Sequence, residues 1–403
     1  MSSGAIGERV GAYRRRRGLS QAALAGLVGR SESWLSQVER GLRSVDKLST
    51  ILDLARVLRV EPQQLIGRPW QLAPNGGHDT DALDEVRGFF TRYDDLLEPV
   101  PRATLDLPQL RTSIATAHRT YQGARYEEVI GQIAPMLASV DRAHRGMRTG
   151  QVPELTLGYV SAYVVAAKLL TKLGATDLAL LAADRAANRA MESDSQVARG
   201  TAAYQVACAL LRADRPDEAE HLAVGMAEQV QRGARSDRPT VASVAGALWL
   251  IAAVIAARRM DRDEAWARLD RAEYLAGLLG EDANHAWTAF GPTNVKVHRI
   301  SVATEMGDAA GALRLAADVD TTKMPEGLTS RRAQVHLDLA WAHVQRRQDA
   351  EATLQLLEAE RTAPEAVRYN VIVRECVREM LARSGRSQTS ALTQLAIRAG
   401  VID

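Results

Sequence analysis

The sequence predicts an all-α protein, and three observations carry that prediction. Aromatic residues make up only 4% of the 403 residues while alanine is abundant, a composition suited to closely packed helices. Clusters of β-branched residues bounded by turn residues, which would mark strands, are hard to find. From Tyr121 onward a helix end, a small or polar turn and a new helix rich in acidic residues and alanine keep returning. A chain of this length exceeds one compact core, so a small helical head followed by a long array of helix pairs is expected.

The elements follow in order. Ile6–Arg17 reads as a first helix with Ile6 and Val10 inward. Ser20 offers its hydroxyl to the unpaired N–H groups of a helix that opens at Gln21 and runs to about Val28. Leu24, Leu27 and Val28 are expected to form its buried face, with Ala25 small enough for another helix to cross. Gly29 supplies a tight turn. Ser31 caps the next helix, Leu35 and Val38 point inward, and Gly41 ends it. Glu32, Ser33, Ser36 and Gln37 remain on the opposite face. A braced helix with a polar outer face is what a DNA major groove accepts. Lys47–Leu58 and Pro62–Ile66 read as fourth and fifth helices.

These residues closely resemble the helix-turn-helix of the phage-repressor-like, or Xre, family of bacterial transcription regulators. The patterns S-Q-x-x-L-A-x-x-x-G and S-x-S-x-L-S-x-V-E-R-G are met from Ser20 to Gly41, and the likeness spans roughly Ile6 to Leu65. The resemblance implies that Gln21, Arg30, Ser36, Arg40, Arg43 and Lys47 hold phosphates, while Glu32, Ser33 and Gln37 face base edges. Gln37 suits a bidentate contact to adenine and Glu32 an acceptor contact from cytosine. The plainer alternative is that some of them only solvate a helix face. Arg14 and Glu39 match a pair that forms a structural salt bridge in the family. Trp34 takes a place usually held by a smaller residue and is expected to pack on a neighbouring helix.

Charge agrees with that division. Residues 1–68 hold 12 Lys and Arg against 6 Asp and Glu, whereas the remainder holds 39 against 43. The basic end is the one suited to double-stranded DNA. Between the two halves, RPWQLAPNGGHDT (Arg68–Thr80) carries two prolines and two adjacent glycines, so the expected domains are residues 1–68 and 81–403 with a linker at 69–80. One helix, Asp81–Leu97, is expected before a proline-rich break at Glu98–Pro108.

The recurring unit has turn centres near residues 123, 174, 214, 261, 307, 347 and 385. The spacing is longer than the 34 residues of a tetratricopeptide repeat, yet the small turn residue followed by a helix-pairing alanine resembles that pattern. It predicts a right-handed α-solenoid with a concave inner face. Val241–Ala257 is nearly free of charge but 17 residues long, short of the ~20 that span a bilayer, so a buried repeat helix is expected and no membrane partner. Arg14–Arg17 is not followed by an apolar run, and Cys208 and Cys376 have neither CxxC nor Cys/His spacing. The expectation is a cytoplasmic, nucleoid-associated protein with free thiols.

No phosphate loop, dinucleotide fingerprint, HExxH or GxSxG motif is found, and His336 and His343 lack an acidic partner at metal spacing. The expectation is a regulator with no catalytic residues, cofactor or metal. In AFGPTNVKVH (Ala289–His298), Pro292 opens a helix that sets Asn294 and His298 on one face. They are candidates for holding an effector, since an amide side chain both donates and accepts; the alternative is an inter-repeat bridge and a core histidine. Trp249, Trp287, Tyr159, Tyr163 and Tyr204 are further candidates for lining the groove, with core packing as the alternative.

The layout as a whole resembles the peptide-responsive quorum-sensing regulators of Gram-positive bacteria. That resemblance implies a homodimer whose repeats bind a peptide or small-molecule effector. A dimer also follows from physics: one reader grips little DNA, whereas two on a symmetric partner read half-sites about 34 Å apart. Two other readings stay open: a DNA-bound scaffold that recruits a protein without an effector, and a repeat module whose helix-turn-helix is vestigial.

Overall fold

The computed structural model describes residues 3–16, 19–43, 45, 48–58, 60, 65, 77–93, 106–145, 152–384 and 389–402. Among them every regular element is helical, and the chain divides into two compact units, Met1–Leu72 and Ala73–Asp403.

The first unit contains α1 (Ser3–Arg16), α2 (Gln21–Leu27), α3 (Glu32–Glu39) and α4 (Leu48–Leu58). Its core gathers Val10, Leu24, Ala25, Leu35, Val38, Leu54 and Leu58. Gly7 lets α1 lie against α3, because a Cβ there would collide with the Val38 carbonyl. One expected core residue is not in it: Leu27 is 61% exposed. At about 100° per residue, the buried arc runs from Leu24 through Val28 to Ala25, and Leu27 falls on the far side of Leu24. Of the expected fifth helix only Leu65, which is buried, lies within the described residues.

The second unit opens with α5 (Gly77–Phe90). This helix starts inside the stretch expected to be linker and stops seven residues before the expected end at Leu97. Phe90 is its anchor, fully buried with its ring edge-on to Tyr163 at 6.3 Å, and beyond it Thr91, Arg92 and Tyr93 are exposed.

Helix pairs follow. One row consists of α6 (Leu107–Gln122), α8 (Val152–Leu173), α10 (Gln196–Arg212), α12 (Pro239–Arg258), α14 (Pro292–Glu305) and α16 (Thr329–Gln345). The alternating row consists of α7 (Tyr126–Arg145), α9 (Thr176–Met191), α11 (Pro216–Gln231), α13 (Arg262–Leu279), α15 (Ala309–Ala316) and α17 (Asp349–Thr362). The chain ends in α18 (Pro364–Arg368), α19 (Val371–Ser384) and α20 (Ser390–Arg398).

Six of the seven expected turns separate paired helices, and each carries one residue with positive φ: Ala124, Gly174, Asp214, Met260, Gly307 and Arg347. The seventh, near 385, lies outside the described residues. Alanine lets the alternating row pack closely, with Ala219, Ala223 and Ala227 buried at four-residue spacing along α11. Asp261 and Asp308 cap α13 and α15 by accepting from the Glu264 and Gly311 amides at 3.2 and 2.9 Å. The apolar α12, long enough to attract attention as a membrane span, has 83% of its apolar stretch buried inside the unit.

The array also curls until its ends meet. Each helix of the first row touches the next, and α16 comes back against α6. The Tyr126 hydroxyl hydrogen bonds with Ser330 at 3.0 Å, the Glu127 amide donates to Glu365 at 2.9 Å, and Arg368 pairs with the Glu127 carboxylate. The inner row is therefore a closed ring of six helices, with a cavity inside it.

Candidate functional site

The first unit builds a polar helix face from capping and one buried ion pair. Ser20 Oγ accepts from the Ala23 amide at 3.0 Å and Ser31 Oγ from the Trp34 amide at 3.2 Å, which fixes where α2 and α3 begin. Gly29 and Gly41 stand at φ +65° and +71°, the left-handed region that glycine enters without steric cost. Between those fixed ends Leu35 and Val38 are fully buried, while Glu32 and Ser33 are exposed and Ser36 and Gln37 half-exposed.

A hydrogen-bonded chain ties this helix to its neighbours. The Arg14 guanidinium grips the Glu39 carboxylate twice, at 2.6 and 2.9 Å, and also donates to the Leu19 carbonyl at 2.7 Å. Gln21 Nε2 donates to the same carboxylate at 2.8 Å. Burial alone would raise the Glu39 carboxyl, but its hydrogen bonds with Arg14 and Gln21 outweigh that and hold it below its ordinary value. Gln21 thus reaches the surface from a fixed position, with its side-chain oxygen left over for another donor.

The expected phosphate-holding cations take different places. Arg30 lies 5.6 Å over the Trp34 ring and within 3.4 Å of the Thr50 hydroxyl, so the indole is half-buried beneath a guanidinium. Trp34 packs against the unit's core. Arg40 is exposed but folds back to the Ser36 carbonyl at 3.2 Å. Arg43 is exposed on a loop that the Gln37 carbonyl pins by accepting from the Leu42 and Arg43 amides at 2.9 and 3.2 Å. Lys47 lies outside the described residues.

Two helices joined by a glycine turn, capped at both starts, with an apolar inner and a polar outer face, are the geometry of a DNA-reading motif. Residues 5–66 match the family described as Helix-turn-helix domain. This segment is a helix-turn-helix domain. No curated protein matches the chain. Among solved structures the chain is similar to that of Bacillus thuringiensis PlcR in complex with the peptide PapR7 and DNA, at 11% identity and a TM-score of 0.35. That likeness covers 86% of this chain and 99% of PlcR.

In the second unit the cavity measures about 170 Å³. Its wall includes Gln122 of α6, Lys168 of α8, Tyr204 and Cys208 of α10, Trp287 of the α13–α14 loop and Arg331 of α16. The loop is tied across the ring: Gln122 and Asn284 exchange amide hydrogen bonds at 3.1 and 2.8 Å. The Trp287 carbonyl accepts from Gln122 at 3.3 Å and from the Lys168 ammonium at 3.0 Å. The Trp287 ring stacks on His118 at 4.8 Å with 4° between the planes. Ala286, Trp287 and Ala289 all have positive φ, a strain of about 1–2 kcal/mol per residue that these ties hold in place.

Of the sequence candidates, Tyr204 and Trp287 line the cavity; the others do not. Asn294 and His298 do share a face of α14, but both are buried. His298 Nδ1 bonds the Asn294 carbonyl at 2.8 Å, and burial lowers the imidazole to about 3, leaving it neutral. They are core residues instead of a groove surface. Trp249 is fully buried with its indole N–H donated to Gln231 at 2.7 Å, and Tyr163 is fully buried with its hydroxyl donated to Asp141 at 2.8 Å. Tyr159 stacks on Tyr163 at 4.6 Å. Each was drawn into the core because an aromatic body gains most from burial when its polar end still finds a partner. His336 and His343 are engaged by Gln355 and Gln348 at 2.8 and 3.0 Å.

Sequence reasoning missed Lys168, Gln122, Asn284 and Arg331. A signal existed for the first: the chain has only five lysines, and two of them, Lys168 and Lys172, interrupt the otherwise apolar second half of α8. The others come from distant segments that only ring closure brings together.

Proposed function

We propose that this chain is a sequence-reading transcription regulator of the Xre type, acting as a homodimer in the cytoplasm, whose helical ring senses an effector. The observation that carries the reading is α3: its inner side is sealed by Leu35 and Val38 while Glu32 and Ser33 are exposed and Gln37 is half-exposed. In this reading Glu32, Ser33 and Gln37 meet base edges, and Gln21, Arg30, Ser36, Arg40, Arg43 and Lys47 meet phosphates. Gln21 is held for its contact by Glu39. The ring contributes a cavity lined by five helices and a strained loop, which is the kind of place where a ligand biases one arrangement over another.

The test is enrichment of duplexes from a random pool by the full chain, followed by titration of the best sequence at two salt concentrations. The reading expects a two-half-site sequence and binding that weakens steeply with salt. Arg43→Ala should weaken every sequence alike and reduce the salt slope by about 0.9. Failure to enrich any sequence, with full folding retained, would overturn it.

A further inference from the structure

Among the described residues, the wall of the cavity inside the ring carries positive charge and no carboxylate. Lys168 and Arg331 are the charged residues on its wall, both cationic, and no carboxylate lines it. Lys168 spends one of its three N–H donors on the Trp287 carbonyl at 3.0 Å. Among the described residues the Arg331 guanidinium enters no hydrogen bond or ion pair, although the residue is only partly exposed. The Asp338 carboxylate is near enough to attract the Arg331 charge, but its hydrogen bonds come from Ser301 and, at 2.7 Å, from Gln334. Two cations facing one small space with no carboxylate on its wall are costly. Burial pulls the Lys168 ammonium down to about 8, and Arg331 adds to that effect.

Size narrows the occupant further. An engineered apolar cavity of about 150 Å³ holds one benzene, whereas drug-sized ligands occupy about 300–1,000 Å³. At about 170 Å³, the cavity has the size for one small molecule. Around the cations the wall mixes apolar and aromatic residues, Tyr121, Tyr204, Val244 and Trp287, with uncharged polar ones such as Thr201 and Gln205.

We infer that the ring binds a small organic carboxylate, its anionic group between Lys168 and Arg331 and its apolar body against Tyr204 and Trp287. This rests on the reading of the ring as a sensor. The carboxylate takes N–H donors that Lys168 and Arg331 have to spare, and it shares the Lys168 ammonium with the Trp287 carbonyl. Binding is thereby linked to the tie that holds the strained loop.

The test is calorimetry on the full chain at neutral pH with benzoate, phenylacetate and hexanoate, each against its neutral amide, and with inorganic phosphate. The expected result is that at least one carboxylate binds about tenfold or more tightly than its amide, since a charge-assisted hydrogen bond contributes about 1.5–3 kcal/mol. Lys168→Met and Arg331→Met should each remove that preference with the helical circular dichroism unchanged. Lys168→Gln and Arg331→Gln repeat the test should either methionine variant fold poorly. Equal binding of acid and amide, undiminished binding by the variants, phosphate binding in place of the carboxylates, or no binding by any of the three carboxylates would overturn the inference. Calorimetry needs no DNA. A chain that takes carboxylates but no duplex defeats the DNA reading alone, and the reverse result defeats this inference alone.

Discussion

The helix-turn-helix unit and the helical ring use opposite plans for placing function. In the first, the candidate residues lie within one short stretch, on the outside of a helix whose inside is sealed. In the second, the cavity wall is drawn from Gln122, Lys168, Tyr204, Trp287 and Arg331, so the candidate site exists only once the ring has closed. One site is local and held by caps and an ion pair; the other is assembled by tertiary contacts. The difference teaches that a site's legibility depends on how far apart in the chain its parts lie.

That contrast can be broken at its supports, beginning with the largest effect. Glu39→Ala strips Arg14 and Gln21 of a common partner at a pair whose side chains are 12% and 8% exposed. The first unit should lose about 3 kcal/mol, read by denaturant unfolding, while the ring unfolds as before. The sign of its pH dependence follows from the lowered carboxyl. The stabilisation is present above the unfolded pKa of 4.5 and is lost as pH falls through the folded value, so acid should melt the first unit of the wild type and change Glu39→Gln less.

A second substitution addresses the ring. Gly246 lies where a Cβ would enter the Phe290 ring, so Gly246→Ala overpacks the contact between α12 and the segment before α14. A loss of about 1–3 kcal/mol is expected, measured by the ring's thermal midpoint, together with weaker carboxylate binding. Unchanged stability would show that α12 and Phe290 separate without cost.

The smallest effect is a gain. Met260 is 66% exposed with φ +60° at a turn between paired helices, where a side chain costs about 1 kcal/mol or more that glycine avoids. Met260→Gly should stabilise the ring by about 0.5–1 kcal/mol after the entropy of the more flexible unfolded chain is subtracted.

Most of the fold was legible because the signals were local. Ser20, Gly29, Ser31 and Gly41 announce the ends of α2 and α3, and the turn residues of the array recur at six described junctions. Leu27 misled because a three-residue step from Leu24 reads as the same face until Ala25 tips the buried arc the other way. The start of α5 at Gly77 was hidden by a composition that argues for linker. For the cavity, the sequence singled out Tyr204 and Trp287 among several aromatics but had no means to separate them from Trp249 and Tyr163. Which aromatic faces the space inside a ring and which faces a neighbouring helix is decided by curvature, and curvature is a sum over all the pairs. Closure between Tyr126 and Ser330 spans a sequence distance over which no periodic pattern carries information.

The claim on which the account turns is that the outer side of α3 reads bases. Its most direct test is a base-by-base binding profile of the wild type and of Gln37→Ala on the selected operator. The account predicts that one position in each half-site loses about 1–3 kcal/mol of discrimination in the variant while the other positions keep theirs. An identical profile, or an equal weakening at every position, would contradict it.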